Sequence, residues 1–363
     1  MSSSPCLFTG IMACYNVEHY VQQALESVLN QDFNEPFQLI IVDDCSTDST
    51  VEVVKEVLNA YKGHFELLFI RNEMNIGVAG SYNKGMEAAR GEWIIDFDAD
   101  DVYYPLRLQY YREIVERNSG IMLISSAMAN VTEDGTCFSY RCYDGRIYHS
   151  KEEFPASRRF HGIQTRFEIL NRRPGEAACF DTFGTAFAFH RKVFEYFGPL
   201  PVSLVRCTQD VALTFRGLLL GDVYGDNRIV VDYRMHGGNL YNRSYSPGMK
   251  GIREVEEFWG EAIILEAGNA NSNLIDIKKI RKNIDVDFSQ EQINILEDLF
   301  SRAYTTAMMR YQYWKCNFWE KMSRIRYAYG RTLSYGMSWA LWRLMPLTIF
   351  VFIKNMKRFL PGH

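Results

Sequence analysis

Residues 93–105 read WIIDFDADDVYYP: an apolar run, Trp93 to Ile95, leads into Asp96, Asp98, Asp100 and Asp101. Like charges this close repel one another, which costs stability unless a cation neutralises them. Oxygen ligands in this number suit Mg²⁺ or Mn²⁺, which usually completes its shell with substrate phosphates. A solvated turn capping the next helix would explain one or two of the acids, not four. A calcium-binding EF-hand loop does not fit: begun at Asp96, it has Asp101 where the turn needs glycine and Arg107 where it needs glutamate. Asp96 as the covalent nucleophile of a phosphatase finds no second residue in its support.

No GxGxxG follows the first apolar run and no GxxxxGKS occurs, so a glycine cradle for phosphate is not expected. ACYN (13–16) and VDDCSTDST (42–50) stand after the first two apolar runs instead. A carboxylate at a strand end can accept the N3–H of a uracil ring, and a tyrosine can stack on that ring. Asp43 and Tyr15 suit those roles, although Tyr15 equally suits a core aromatic.

The elements that must position these residues alternate in period. LFTGIMACY (7–15), FQLIIVDD (37–44), FELLFIRN (65–72), WIIDFDADD (93–101) and IMLISSAM (121–128) read as strands. Between them, EHYVQQALESVLNQ (18–31) has Tyr20, Val21, Leu25, Val28 and Leu29 on one helical face. STDSTVEVVKEVLNAY (46–61) opens on capping Ser, Thr and Asp, AGSYNKGMEAARG (79–91) closes at Gly91, and PLRLQYYREIVERN (105–118) starts with Pro105 near its first position. Five strands alternating with four helices predict an α/β fold with a doubly wound, mostly parallel sheet flanked by helices. Ligands of such sheets bind beyond the carboxyl ends of the strands, where Asp43, Asp44, Asp98 and Asp100 fall. Residues 131–175 read as irregular. FGTAFAFHRKVFEYFG (183–198) reads as a strand and short helix, TQDVALTFRGLLLG (208–221) as a helix, and RIVVDYRMHGGN (228–239) as a strand entering a Gly-Gly loop. From about residue 250 the pattern is helical to the end.

Three blocks, CYNVEHYVQQALESVLNQDF, LIIVDDCSTDST and NIGVAGSYNKGMEAARGEWIIDFDADDVYYPLRL, resemble family 2 glycosyltransferases of the GT-A fold over about residues 7–130. The resemblance implies a nucleotide-sugar donor, usually UDP-linked, and inverting transfer of a hexose to a hydroxyl of a saccharide or lipid-linked acceptor, as in bacterial surface-polysaccharide, O-antigen or glycolipid synthesis. It implies that Asp98-Ala99-Asp100 is the DXD motif, with Asp100 on the metal and Asp98 on the metal or the ribose. It places Ala13, Tyr15 and Asp43 around the uracil, and Asn83 and Lys84 at the donor's phosphates or sugar. Asp210 alone reads as a first-turn acid matching the helix dipole. In this pattern it is the base that deprotonates the acceptor hydroxyl, although Gln209 stands where the family usually has glutamate. His236 matches a position near the metal and diphosphate, as metal ligand or phosphate contact, and Gly237-Gly238 would let that loop move. Phe183, Phe187 and Phe189 read as acceptor-side or core aromatics. A sugar nucleotidyltransferase is the alternative enzyme class, but ACYN lacks its glycine- and cation-rich phosphate loop. A non-catalytic saccharide- or lipid-binding scaffold is a third reading, which replacement of Asp100 or Asp210 would have favoured.

The chain has 363 residues, 47% of them hydrophobic, and a formal charge of -4, so no basic surplus points to nucleic acid. Three parts are expected: 1–130 for the donor, 131–245 for the acceptor and base, and 246–363 as a helical extension. Eight cysteines without a CxxC pair indicate reduced thiols, and MSSSPCLFTG predicts no signal peptide. Residues 321–363 contain Lys and Arg but no Asp or Glu. Within them the run Leu344 to Ile353, broken by Pro346, is too short to span a bilayer. Trp339, Trp342, Phe350, Phe352 and Phe359 with Lys354, Lys357 and Arg358 suit an interfacial segment, hence a cytoplasmic enzyme held peripherally on the membrane. Packing on the enzyme or on a second subunit is the alternative for the tail, and residues 288–330 suit oligomerisation. Arg141, Arg158, Arg159, Arg166, Arg172 and Arg173 are candidates for gripping an anionic acceptor, or for a solvated loop.

Overall fold

The computed structural model describes residues 6–171, 184–205, 207–239, 252–282 and 287–315. Apolar runs long enough to be covered on both sides build the first strands, β1 (Phe8–Cys14) and β2 (Phe37–Asp43), in which only Ala13 escapes burial. Around them the chain runs α1 (Val21–Leu29), α2 (Thr50–Ala60), β3 (Glu66–Arg71), α3 (Val78–Ala88), β4 (Trp93–Asp98), β5 (Val102–Tyr103), α4 (Arg107–Arg117) and β6 (Ile121–Thr132). There follow β7 (Cys137–Arg141), β8 (Ile147–Tyr148), β9 (Arg158–Phe160), α5 (Ile163–Leu170), β10 (Phe187–His190), α6 (Lys192–Phe197), α7 (Val202–Val205) and α8 (Gln209–Leu220). The described chain closes with β11 (Asp222–Met235), α9 (Ile252–Arg281) and α10 (Gln290–Lys315).

The strands form one sheet in the order β3-β2-β1-β4-β10-β6-β11-β5. The first four are parallel, as are β6 and β11, while β10 enters antiparallel between β4 and β6. One helical layer, α1, α2 and α4, packs its Val21, Leu25, Val54, Leu108 and Tyr111 on one face. Helices α3, α5, α6 and α8 cover the other with Tyr82, Phe167, Val193 and Leu213. Strand alternation divides β4 between these layers: Trp93, Ile95 and Phe97 join the first, Ile94 the second. Asp96 and Asp98 therefore stand on the face that α3 and α8 cover.

Three local expectations are corrected. Gly91 does not close α3, which ends at Ala88 with Ala89 already extended. A Cβ at Gly91 would lie 2.4 Å from the backbone nitrogen of Thr9, so that glycine serves a close approach to β1. Residues 131–175 are not irregular: β7 and β8 form a hairpin beside β6, and β9 pairs with β11. Alternation there is broken by bulges and short strands, which hides the period from sequence. In the same stretch Arg159 pairs with Asp222 at 2.7 Å, and Arg166 lies buried against the Leu218 and Leu219 carbonyls. These two arginines are structural, while Arg172, Arg173 and Phe183 lie outside the described residues. Phe187 and Phe189 stack in the core, fully buried, with ring centroids 5.7 Å apart.

The first helix of the extension is tied to α8. Arg216 and Asp276, each 1% exposed, pair at 2.8 Å, and the Thr208 hydroxyl donates to Asn269 Oδ1 at 2.6 Å. Among the described residues no helix is long and apolar enough to cross a membrane. The basic tail lies outside the described residues. Cys6, Cys14, Cys45, Cys137 and Cys142 carry free thiols.

Candidate active site

Parallel register brings the singled-out residues to one edge. Ala13 lies level with Val42 on one side and Asp98 on the other, and Cys14 with Asp43, which is level with Arg71. The turns leaving β1 and β2 brace each other. Asn16 N–H donates to Ser46 Oγ at 3.0 Å, and Thr47 N–H to Asn16 Oδ1 at 2.8 Å. Asn16 and Cys45 adopt left-handed φ of 52° and 64°, a conformation the surrounding bonds must hold. Tyr15 rides on this braced turn, 47% exposed. Asp43 is fully buried, accepting from Ser46 N–H, with the Arg71 guanidinium 3.3 Å away as its outer partner. Asp44 accepts from Asn72 Nδ2, Ile76 N–H and Gly77 N–H at 2.8–2.9 Å and so builds the entry to α3. On α3 the Asn83 amide makes both its contacts with the backbone of Leu200, at 2.8 and 3.0 Å, while Lys84 is exposed.

The end of β4 is differently furnished. Asp96 is 3% exposed and Asp98 only partly open. Burial, with the charges of Asp100 and Asp210 nearby, pushes Asp98 up to about 8. Burial and the charges of Asp98 and Asp210 hold Asp96 well above the usual carboxylate range. Asp101 is raised likewise, by burial first and then by Asp100 and Asp98. Arg107 opposes these shifts at Asp96 and Asp98. Its guanidinium is fully buried among the rings of Phe97, Tyr103 and Tyr111 and donates to the main-chain oxygens of Asp96 and Phe187. A Tyr82 hydroxyl from α3, buried and without a hydrogen-bond partner among the described residues, is raised by burial and by Asp96, Asp98 and Asp210.

Asp210 sits in the first turn of α8, its Oδ1 accepting from Val211 N–H at 2.8 Å. His236, just past β11, reaches Asp100: Nε2 to Oδ2 is 2.9 Å. Its Nδ1 accepts from Gly238 N–H at 3.1 Å, so Nε2 carries the proton and donates to Asp100. Tyr20 covers the imidazole at 4.4 Å. Arg234 fixes the same corner, its N–H donating to Asp101 Oδ1 at 2.8 Å and its Nε to the Asp100 carbonyl at 3.0 Å. Among the described residues no three Asp, Glu, His or Cys side chains form a closed metal cage. Asp100 offers a carboxylate oxygen of the type Mn²⁺ or Mg²⁺ accepts, while His236 in this tautomer has both ring nitrogens engaged and orients Asp100 through Nε2–H, so the nitrogen ligand expected from sequence is not free as the side chains stand.

Arg107, Arg234, Tyr82 and Tyr20 were not singled out as site residues from sequence. A signal existed for Arg107, whose neighbours at one and four positions on, Leu108 and Tyr111, are core-facing, so the arginine must lie at the same buried seam.

The glycosyl transferase family 2 model matches residues 9–198, and the chain belongs to that family. It is 34% identical over 130 residues to an uncharacterized glycosyltransferase of Methanocaldococcus jannaschii, 36% of this chain and 44% of that one. Over 126 residues it is 32% identical to TarS of Staphylococcus aureus, a poly(ribitol-phosphate) beta-N-acetylglucosaminyltransferase, 34% of this chain and 21% of that one. The crystal structure of TarS residues 1–349 in complex with UDP shares the fold at a TM-score of 0.54 and 17% identity, covering 88% of this chain and 78% of that chain. The architecture is thus the GT-A fold expected from the three sequence blocks. The matched region spans less than half the length of the first curated relatives, 44% and 47%.

Proposed function

We propose that this chain is a metal-dependent inverting glycosyltransferase that moves a hexose from a UDP-sugar to a hydroxyl of a saccharide or lipid-linked acceptor. The observation that carries the reading is the end of β4, where His236 lies on Asp100 at 2.9 Å and where Asp210, from the start of α8, comes to Gly184 beside Asp96. Solved structures of TarS with UDP and with UDP-GlcNAc support a UDP-linked donor for this fold. A divalent ion held by Asp100, which His236 orients, with Asp98 beside it, would supply charge to the departing diphosphate. Asp210 accepts the proton of the acceptor hydroxyl as its oxygen bonds to C1 of the sugar. The C1–O bond to the diphosphate breaks on the opposite face, and UDP leaves with that electron pair. Tyr15 offers its exposed ring to the uracil. Asp43 would take the uracil N3–H once the Arg71 guanidinium swings aside, and Lys84 on α3 is open for phosphate or sugar. Donor work falls to residues 1–130, acceptor and base to 131–245, and attachment to an anionic membrane surface, in the cytoplasm, to the basic tail of 246–363.

Calorimetric titration of UDP in Mn²⁺ and then in EDTA, with wild type and Asp100→Ala, tests this reading. Binding that needs both Mn²⁺ and Asp100 is expected. Equal binding in EDTA removes the metal from the mechanism, and no binding in either removes the UDP donor.

A further inference from the structure

We propose that Tyr20 is a positioning residue for Asp100, acting through the ring of His236. The proposal rests on the reading of Asp100 as the carboxylate that takes the metal. Sequence pattern groups Tyr20 with Val21, Leu25 and Val28 on the apolar face of α1, and those three do pack in the core. Tyr20 does not follow them. It stands at the N-cap of α1 without a side-chain capping bond, where serine or asparagine would serve the helix better. Its ring turns instead to the loop after β11 and lies on the His236 imidazole, 4.4 Å between centroids and tilted by 31°.

What the ring adds follows from the other restraints on His236. The main chain is fixed by Asn239, whose Oδ1 accepts from His236 N–H at 2.5 Å and whose Nδ2 donates to the Arg234 carbonyl at 2.9 Å. The two ring nitrogens bond Gly238 N–H and Asp100 Oδ2, at 3.1 and 2.9 Å. Both bonds act at the ring's edge. They oppose rocking about the line through the nitrogens only weakly, because a hydrogen bond bent by about 30° keeps most of its strength. A flat ring against the face blocks that motion. Tyr20 is itself held: its hydroxyl donates to Glu133 Oε1 at 2.5 Å, in the turn between β6 and β7. Arg234, 8% exposed, lies 5.5 Å from the Tyr20 ring and donates to the Glu133 carbonyl at 2.8 Å and to Gln23 Oε1 at 2.6 Å. The same guanidinium donates to the Asp100 carbonyl at 3.0 Å. The start of α1, the β6–β7 turn and the end of β11 thus converge on both the main chain and the side chain of Asp100.

Calorimetric UDP titrations over a series of Mn²⁺ concentrations give the Mn²⁺ midpoint for donor binding. Turnover, as UDP release from whichever of UDP-glucose, UDP-galactose and their N-acetyl forms wild type uses, and melting temperature in EDTA are measured beside it. Tyr20→Ser removes the ring at a position that accepts serine as a helix cap. It is expected to raise the Mn²⁺ midpoint about tenfold, with kcat in saturating Mn²⁺ within about threefold of wild type. Tyr20→Phe keeps the face and is expected to hold the midpoint within about threefold. Tyr20→Leu, which keeps apolar bulk without a flat face, should behave as the serine variant and replaces it if that variant does not fold. In a His236→Ala background Tyr20→Ser should add less than about twofold, because the residue it acts through is gone. A ring-less variant with the wild-type midpoint overturns the proposal. So does an undiminished effect that persists without His236, or a phenylalanine variant as impaired as the serine one. Loss of melting temperature and kcat at an unchanged midpoint makes Tyr20 structural only, which also overturns it. A wild type that binds UDP equally in EDTA sinks the metal reading and this one together; a metal-dependent wild type with indifferent Tyr20 variants sinks this one alone.

Discussion

Two acidic strand ends flank β1, and they are built in opposite ways. At the end of β2, Asp44 receives three hydrogen bonds from Asn72, Ile76 and Gly77, and Asp43 has Ser46 and Arg71. At the end of β4, Asp96 and Asp101 are buried with an oxygen each left without a partner among the described residues, and Asp98 is pushed up to about 8. The chemistry of the side chains is the same, so the difference lies in the donors around them. Saturated carboxylates hold loops in place. Carboxylates short of donors and crowded by like charge are held ready for an incoming cation or proton. On the proposed function, Asp44 at the β2 end is architecture beside the donor site, and the β4 end is where the metal and the reacting groups would meet.

The largest effect that would sharpen this contrast is on turnover. Asp210→Asn is expected to lower kcat by about 10²–10⁴-fold with UDP affinity in Mn²⁺ nearly unchanged, measured by UDP release and calorimetry. A fall in UDP affinity equal to the fall in kcat would assign Asp210 to donor binding instead. Next comes stability at the other strand end. Asp44→Ala strands three donors and is expected to cost about 2–4 kcal/mol by denaturant unfolding, regardless of metal. A loss below about 0.5 kcal/mol would break the distinction between the two ends.

Smaller in effect is the pH dependence of the metal-free protein. Asp98 binds its proton more tightly folded than unfolded, so its contribution favours the fold at low pH. That contribution is lost as pH rises from the ordinary carboxylate range to about 8, and Asp96 and Asp101 act in the same direction. In EDTA the melting temperature should fall across this window, and added Mn²⁺ should raise it more at its upper end than at its lower. A rise with pH in EDTA would contradict the picture. Smallest is Tyr82→Phe, which removes a hydroxyl that has no partner among the described residues. Stability should stay within about 1 kcal/mol of wild type, and a greater loss by calorimetric melting would mean that the hydroxyl is engaged.

Much of this was legible in the chain. The period of Phe8–Cys14 and Phe37–Asp43, the helical face of Val21, Leu25 and Val28, and the glycine-closed α8 needed only local pattern, because burial on one or two faces dictates it. The stretch from 131 to 175 did not yield, since strands of two to five residues with bulges carry too little period to read. Gln209 was read as a lost charge. The structure brings it to Gly184, which a carboxylate from β4, more than a hundred residues earlier, also approaches.

What the sequence by itself determined is the set of acids, their place at strand ends and the family they resemble, because period and spacing are properties of neighbours along the chain. What only the tertiary structure decided is which acids are satisfied, that His236 lies on Asp100, and that Asp96, Gln209 and Asp210 meet around Gly184. Those facts depend on β10 threading between β4 and β6 and on α8 folding back over the sheet, and pairings over such separations leave no local trace in the sequence.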